Sequence, residues 1–142
     1  MKVKDIMSKN TISISAEETV EVAARTLTQY NIGVLPVCES DGKLCGVVTD
    51  RDLVIRCIAA GKSVTGTKVR QVMTGQVTSV NPDMEAGVAA HLMGRQQIRR
   101  LPVTELGRLC GMVSLGDLAV REESIMDAAG ALMDITSNIS MR

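Results

Sequence analysis

The stretch that decides the fold occurs twice in the chain. Residues 42–49 read Gly-Lys-Leu-Cys-Gly-Val-Val-Thr, and residues 107–114 read Gly-Arg-Leu-Cys-Gly-Met-Val-Ser. The match continues outward: Leu35-Pro36-Val37 corresponds to Leu101-Pro102-Val103, and residues 3–8 correspond to residues 69–74. Because residue types and spacing are both kept, the chain is predicted to hold two copies of one structural unit within residues 1–121.

Each copy predicts the order strand, helix, strand, strand, helix. A short extended piece, Thr11–Ile14 in the first copy, leads to a helix whose apolar residues recur at i, i+3, i+4 and i+7. Ser15 with Glu18 is predicted to form a capping box for this helix, and Asn81 is predicted to cap its counterpart. Two β-rich runs and a second helix then follow in each copy: Val34–Cys38, Leu44–Thr49 and a helix from near Asp50, and then Arg100–Thr104, Leu109–Ser114 and a helix from near Leu115.

These patterns predict a mixed α/β (α+β) fold. Repeat 1 is assigned to residues 1–66, repeat 2 to residues 67–121, and a C-terminal helical extension to residues 122–142. Neither copy has a large core of its own, so we expect the two repeats to pack sheet to sheet. In the extension, Ser124 can cap a helix whose apolar positions run from Ile125 to Ile135. This helix either packs against its own module or forms an interface with a second copy or a partner.

The composition excludes several classes of function. The 142 residues include sixteen basic and sixteen acidic side chains, one histidine (His91) and one aromatic residue (Tyr30). A net charge of zero argues against nucleic-acid binding by counterion release, and the lack of aromatic residues removes the usual stacking surfaces for single strands. No run of about 18 apolar residues predicts a membrane span, and the N-terminus does not resemble a signal peptide.

The residues that carry most enzyme chemistry are sparse. The four cysteines, Cys38, Cys45, Cys57 and Cys110, form no Cys-x-x-Cys pair. We interpret them as free thiols in a reducing cytoplasm, with a redox or zinc site as the alternative. There is no nucleophile–base pair, metal-ligand cluster or phosphate-binding glycine loop. We therefore expect no catalytic residues, no metal ligands and no enzymatic activity.

The repeated motifs resemble those of a known family. Ile-x-x-Leu-Pro-Val, followed by Gly-x-Leu-x-Gly-hydrophobic-Val-Thr/Ser-x-x-Asp, resembles the CBS domain, and a tandem pair of such domains is a Bateman module. The resemblance covers both copies, from residue 1 to about residue 121. It implies a pseudo-twofold module whose clefts between the repeats hold adenosine-containing ligands: AMP, ADP, ATP, S-adenosylmethionine or NAD. It also implies that a stand-alone pair forms a homodimer, with no cofactor required.

An adenosine ligand would need acceptors for its ribose hydroxyls and donors for its phosphates. Asp52 and Asp117, at the start of the second helix of each copy, are expected to accept from the ribose. Thr49 and Ser114, at the preceding strand ends, are expected to place a hydroxyl near the phosphate, beside a helix N-terminus that favours anions. The structural alternative is that the two aspartates cap or charge a first helical turn.

The two copies differ in the positive charge available for a phosphate. Arg99 and Arg100 occupy the positions of Gly33 and Val34, where members of the resembled family often carry phosphate-binding basic residues. Guanidinium groups suit bidentate phosphate contacts, although a solvated strand edge is the alternative for this pair. Arg51 is a second candidate cation in the first copy. Two unequal sites are therefore predicted, the second favouring phosphorylated ligands and the first allowing close approach of an uncharged group.

The walls for the base rest on the resemblance alone, since an ordinary core would use the same residue types. They are the first extended piece of each copy and the two repeated prolines: Ile12, Ser13, Ile14, Thr78, Ser79, Val80, Pro36 and Pro102.

Two functions from different classes fit these observations. The first is a non-enzymatic, cytoplasmic regulatory protein that binds an adenosine-containing ligand as a homodimer and signals in trans to an unidentified partner protein. The alternative is a structural or interaction protein whose clefts are vestigial and which binds partners whatever the nucleotide. Neither nucleic acid nor a membrane is an expected partner. Thermal unfolding with and without adenosine ligands separates the two hypotheses.

Overall fold

A computed structural model describes residues 1–121 and 124–140, with side chains of the last helix described as far as Ser137. Its contacts divide the chain into two compact units. One is Ile12–Val77, called here the first-repeat unit. The other combines Met1–Thr11 with Thr78–Arg142 and is called the second-repeat unit.

The first-repeat unit is built on a three-stranded sheet in the order β1, β2, β3. Strand β1 (Ile14–Ser15) is parallel to β2 (Val34–Cys38), which is antiparallel to β3 (Leu44–Thr49). The helices are α1 (Val20–Tyr30), α2 (Asp50–Leu53), which continues into a π-helical turn at Val54–Ile58, and α3 (Val69–Val72). Its core is aliphatic, as the composition requires, with Leu35, Val37, Val48 and Val69 fully buried.

The second-repeat unit repeats this plan. Strands β4 (Arg100–Glu105) and β5 (Arg108–Ser114) form an antiparallel pair, and Val80 makes a parallel bridge to Val103, where β1 lies in the other unit. A 3₁₀ turn at Val3–Asp5 precedes the helices α4 (Ala86–Gln96), α5 (Leu115–Ala119) and α6 (Ile125–Ser140). The mixed α+β class, with two repeats and a C-terminal helix, is thus confirmed.

The motif that opens the second copy packs in the first-repeat unit. The N–H of Val69 donates to the carbonyl of Glu18 at 2.8 Å, and Thr74 makes an antiparallel bridge to Val47 on β3. The segment of residues 67–77 therefore extends the edge of the first sheet and satisfies backbone groups there.

The motif that opens the first copy, residues 3–8, packs in the second-repeat unit. The N–H of Val3 donates to the carbonyl of Met84 at 2.9 Å, and Ser8 makes an antiparallel bridge to Met112 on β5. The predicted boundary between residues 66 and 67 rests on the duplication of the sequence. Each compact unit instead contains the opening segment of the other copy, because the backbone groups that pair with that segment lie in that unit.

This exchange explains the glycine of the repeated Leu-Cys-Gly string. A Cβ at Gly46 would lie 2.7 Å from the carbonyl oxygen of Thr74, and a Cβ at Gly111 would lie 2.7 Å from the carbonyl oxygen of Ser8. Side chains do not fit at either position, because the opening segment crosses directly over the strand.

The predicted N-caps of α1 and α4 are wrong by about one turn. Thr19 caps α1, its hydroxyl accepting the N–H of Val22 at 3.2 Å. Ser15 and Asn81 each accept instead from the backbone N–H two residues further on, at 3.2 Å and 2.8 Å. Short polar side chains stabilise turns in this way as readily as they cap helices. The two helices therefore begin after an extra turn, at Val20 and Ala86.

The C-terminal extension forms α6, which packs on α4 and α5 of its own unit. Ala128, Ala131 and Ile135 are the buried residues of this packing face. Small residues on both helices let the two backbones approach closely. In the described part of the chain, no helix is both long and apolar enough to cross a bilayer.

Candidate ligand-binding site

Some of the predicted site residues of each copy lie together where the two long strands end. Val34 pairs with Thr49 across β2 and β3, and Arg100 pairs with Ser114 across β4 and β5. A backbone hydrogen bond fixes the preceding position as well: the N–H of Leu115 donates to the carbonyl of Arg99 at 2.8 Å. The corresponding bond in the first copy joins Asp50 and Gly33 at 3.1 Å. The duplicated sequence thus produces the same strand-end geometry twice.

The two aspartates predicted to bind ribose form capping boxes. The N–H of Asp52 donates to the Thr49 hydroxyl at 3.0 Å, and the N–H of Thr49 donates to Asp52 Oδ2 at 3.0 Å. Asp117 and Ser114 make the equivalent pair of bonds at 3.0 Å and 2.8 Å. The structural role that the sequence left open is therefore present in both copies. In each capping box Oδ1 of the aspartate takes no part.

The two carboxylates differ in how fully they are engaged. Asp52 Oδ2 also accepts from the Thr74 hydroxyl at 3.5 Å, and Asp52 Oδ1 lies 3.8 Å from Nε of Arg56. The Arg56 guanidinium is itself held by the carbonyls of Val72 and Met73. Within the described residues, the capping box with Ser114 is the only side-chain hydrogen-bond partner of Asp117. Asp117 is therefore the freer of the two to accept from a ligand.

The charge at the strand ends also differs between the copies. Gly33 sits beside an acidic group, since a Cβ at Gly33 would lie 3.6 Å from Oδ2 of Asp50. Arg51 is exposed in the first turn of α2. In the second copy both Arg99 and Arg100 are exposed, and Leu115 replaces the acidic residue. The second strand end has two cationic side chains and no counterpart of Asp50, so it is the more favourable of the two for an anion.

The predicted base walls occupy the short first strands and are largely committed to the sheets. The backbone of Val80 is used in both directions: its N–H donates to Pro102 at 3.0 Å, and its carbonyl accepts from Thr104 at 2.9 Å. The Ser79 hydroxyl accepts from the Thr104 hydroxyl at 3.2 Å. The residues that are buried are Ile14, Pro36, Val80 and Pro102, whereas Ile12, Thr78 and Ser79 are half-buried and Ser13 is exposed.

One cavity joins three of the predicted residues. It has a volume of about 530 Å³ and is lined by Arg99, Arg100 and Ser114, by Leu115, Gly116 and Ala119 of α5, and by Ile125, Ala128, Ala129 and Leu132 of α6. Its lining does not include Thr78, Ser79, Val80, Pro102 or Asp117. The structure therefore brings the arginines together with α6, which the sequence did not place in the site. The recurrence of Ile125, Ala129 and Leu132 at i, i+4 and i+7 predicts an apolar helix face, but it does not indicate what that face contacts.

None of the four cysteines is in the lining of this cavity. All four cysteines are free, and burial raises the pKa of the Cys38, Cys45 and Cys110 thiols. Raised pKa values keep a thiol protonated and unreactive at neutral pH. Among the described residues, no group of three or more His, Cys, Asp and Glu side chains is placed to hold a metal ion.

Comparison with known proteins identifies relatives over most of the chain. The chain is 41% identical over 134 residues to the CBS domain-containing protein YhcV of Bacillus subtilis, covering 94% of each chain. The crystal structure of Hypoxic Response Protein I with two coordinated zinc ions matches with a TM-score of 0.77 and 31% identity, over 84% of this chain and 97% of that one.

A second solved structure is similar and contains adenosyl ligands. It is the CBS domain pair of protein MJ0100 in complex with 5-methylthioadenosine and S-adenosyl-L-methionine. Its TM-score is 0.72 at 29% identity, with 84% of this chain and 97% of that chain covered. The family model described as CBS domain matches residues 3–58 and residues 69–133. Both copies of the repeat are thus matched, and the chain belongs to the CBS domain family as a tandem pair of CBS domains.

Proposed function

We propose that this protein is a non-enzymatic regulator that binds adenosine-containing ligands at its two strand-end sites. The observation that supports this most directly is the duplicated geometry in which Thr49 with Asp52, and Ser114 with Asp117, stand opposite the first residue of β2 and of β4. A related CBS pair is known in complex with 5-methylthioadenosine and S-adenosyl-L-methionine. The candidate ligands remain AMP, ADP, ATP, S-adenosylmethionine and NAD.

The two sites are proposed to differ in ligand class. Arg99 and Arg100 favour a phosphorylated ligand at the second site, since guanidinium groups form strong charge-assisted bonds with phosphate oxygens. Gly33 with the neighbouring Asp50 carboxylate favours an uncharged or cationic group at the first site. The freer carboxylate of Asp117 makes the ribose contact more accessible in the second site than in the first.

Assembly as a homodimer is part of the proposal. The π-helical turn after α2 exposes three large aliphatic side chains: Val54 at 53%, Ile55 at 47% and Ile58 at 61%. Contiguous exposed apolar residues of this kind mark interaction surfaces. A second copy is the proposed occupant, and Ile58→Glu should shift the chain to monomers in light scattering. An unchanged mass would rule this surface out as the dimer contact.

Regulation would act in trans. A ligand changes the state of such a protein only through its different affinity for two conformations, and the unidentified partner protein would recognise one of them. The cytoplasm is the proposed location, in keeping with four free thiols.

The decisive experiment is thermal unfolding and calorimetry with each candidate ligand. At a ligand concentration of 100 times Kd, a ligand that binds only the folded state raises the free energy of unfolding by about 2.7 kcal/mol. Asp117→Ala and Arg100→Ala should reduce the response to phosphorylated ligands more than Asp52→Ala does. If none of the five ligands shifts the unfolding transition, the regulatory proposal fails, and the ligand-independent interaction protein becomes the better description.

A further inference from the structure

The cavity beside α6 is amphipathic. One side carries the guanidinium groups of Arg99 and Arg100 and the strand end at Ser114. The other side is apolar and belongs to α6, with Ile125, Ala128, Ala129 and Leu132 in the lining. A volume of about 530 Å³ falls within the range of small-molecule sites.

Helix α6 has two apolar stripes, which serve different purposes. Ala128, Ala131 and Ile135 are buried, with exposed fractions of 4%, 3% and 3%. They hold the helix against its own unit. Ile125 and Leu132 line the cavity but stay 51% and 43% exposed. This second stripe contributes little to the docking of α6 on its own unit and is accessible from the cavity.

The two arginines supply the positive charge of the cavity lining. Both are exposed, and among the described residues neither forms an ion pair with a carboxylate. A lining that combines guanidinium groups with aliphatic side chains matches a ligand with an anionic end and a flat apolar body.

The position of this wall is set by the packing of α6 on α4. A Cβ at Gly87 would lie 3.2 Å from Oδ2 of Asp127, and a Cβ at Gly94 would lie 2.9 Å from Oδ2 of Asp134. The carboxylates of α6 therefore lie directly over the two glycines. In α1 the corresponding positions are Glu21 and Thr28, whose side chains would clash with the aspartates, and Glu21 would also repel them. The wall consequently belongs to the second-repeat unit alone.

We propose that α6 is the apolar wall of the second-repeat ligand site. The anionic part of a phosphorylated adenosine ligand would lie against Arg99 and Arg100, and its base would pack against Ile125, Ala129 and Leu132. This inference rests on the proposed function and deepens it, because it makes α6 the element that responds to the ligand. A ligand that contacts α6 in its docked position stabilises that position by linkage.

The test is calorimetry with ATP on the full chain and four variants. Arg100→Gln should weaken one of the binding events in the isotherm, and that event is assigned to the second-repeat site. Leu132→Glu places a carboxylate in the apolar wall and should weaken the same binding event by about tenfold or more, because a charge in an apolar site is unfavourable. Met133→Glu is the matched control: the same charge change at a neighbouring residue that is 68% exposed and outside the cavity lining.

A second variant of the apolar wall, Ala129→Met, covers the case in which Leu132→Glu does not fold. Ala129→Met keeps the helix neutral and fills the cavity, and it should weaken ATP binding in the same event. Hydrogen exchange adds a readout that affinity alone does not provide. ATP should slow amide exchange in α6 of the wild type and of Met133→Glu, but not of Arg100→Gln.

The outcomes separate this inference from the function on which it rests. If the wild type binds none of the five candidate ligands, the proposed function fails. If it binds S-adenosylmethionine but no phosphorylated ligand, the function stands and the proposed second-repeat site is overturned. If the wild type binds ATP and both wall variants bind it as Met133→Glu does, the function stands and the role of α6 is overturned. ATP binding without any change in α6 exchange would overturn the linkage.

Discussion

Arg100 and Ser114 are paired at the end of the β4–β5 ladder, at the register position that Val34 and Thr49 hold in the other copy. The pairing places a guanidinium group beside a hydroxyl that also caps α5. The same backbone thus presents a cationic strand end in one copy and an aliphatic one in the other. This difference, together with Arg99 in place of Gly33, is the basis of the proposed difference in ligand class.

Replacing Arg100 should change ligand preference rather than fold. Arg100→Gln is expected to lower ATP affinity by about tenfold or more, because a hydrogen bond to a charged group contributes roughly 1.5–3 kcal/mol. Adenosine, which has no phosphate, should bind almost as it does to the wild type. Calorimetry at constant salt measures both. Arg108→Gln, at the opposite end of β5 and outside the cavity lining, is the control, and an equal loss for adenosine and ATP would contradict the phosphate role.

The two capping aspartates should differ in their structural contribution. Asp117→Ala removes a capping box and is expected to cost about 1 kcal/mol of folding stability. Asp52→Ala removes the same box together with the contacts to Thr74 and Arg56, so its cost should be larger. Urea unfolding of the two variants measures the difference. Equal midpoints for the two variants would show that the additional contacts of Asp52 contribute nothing.

The strand glycines should not tolerate a side chain. Gly46→Ala brings a Cβ within 2.7 Å of the Thr74 carbonyl oxygen, and overpacking of this kind costs about 1–3 kcal/mol. Gly111→Ala should behave in the same way against Ser8. Gly75→Ala is the control, since a Cβ at Gly75 would meet no heavy atom within 4 Å and the φ of this residue is not in the left-handed region. Equal melting temperatures for the three variants in thermal unfolding would contradict this account.

An ion-pair cluster should make the first-repeat unit sensitive to acid. Arg70 donates to both oxygens of Glu39 at 2.8 Å and 2.7 Å and to Glu17 at 3.0 Å, and Lys68 also donates to Glu17 at 2.8 Å. These bonds lower the pKa of Glu17 and of Glu39 below the ordinary value of 4.5.

The direction of the pH effect follows from linkage. A carboxyl group whose pKa is lowered by folding stabilises the folded state. This contribution to the free energy of unfolding is complete above the unfolded pKa and is lost as the pH falls through the folded pKa. Arg70→Gln should therefore be less stable than the wild type near pH 6, and the difference should shrink below about pH 4.5. Urea unfolding at low salt from pH 3 to pH 6.5 measures this. Since the groups are exposed, the effect is small, and a difference independent of pH would contradict it.

Much of the fold could be predicted because the sequence signals are local and occur twice. Strands β2 and β3 have the predicted bounds, and β4 and β5 differ from prediction by one residue at an end. The N-caps could not be predicted reliably, because serine and asparagine stabilise turns and cap helices equally well. Ser15 and Asn81 are in turns, and only the folded backbone shows that the helices are capped at Thr19 and Glu85. The pairing of Thr49 with Asp52 was visible from spacing alone, whereas the additional engagement of Asp52 by Arg56 and Thr74 was not.

The sequence by itself determined the duplication, the family, the strand-end residues and the inequality of charge between Arg99-Arg100 and Gly33-Val34. These depend on residue identity and short spacing, which a chain displays without folding. Only the tertiary structure decided that the opening segments exchange between copies and that α6 lines the cavity beside the arginines. Those are contacts between residues far apart in sequence. They depend on where two glycines of α4 allow a second helix to approach, and no local pattern contains that information.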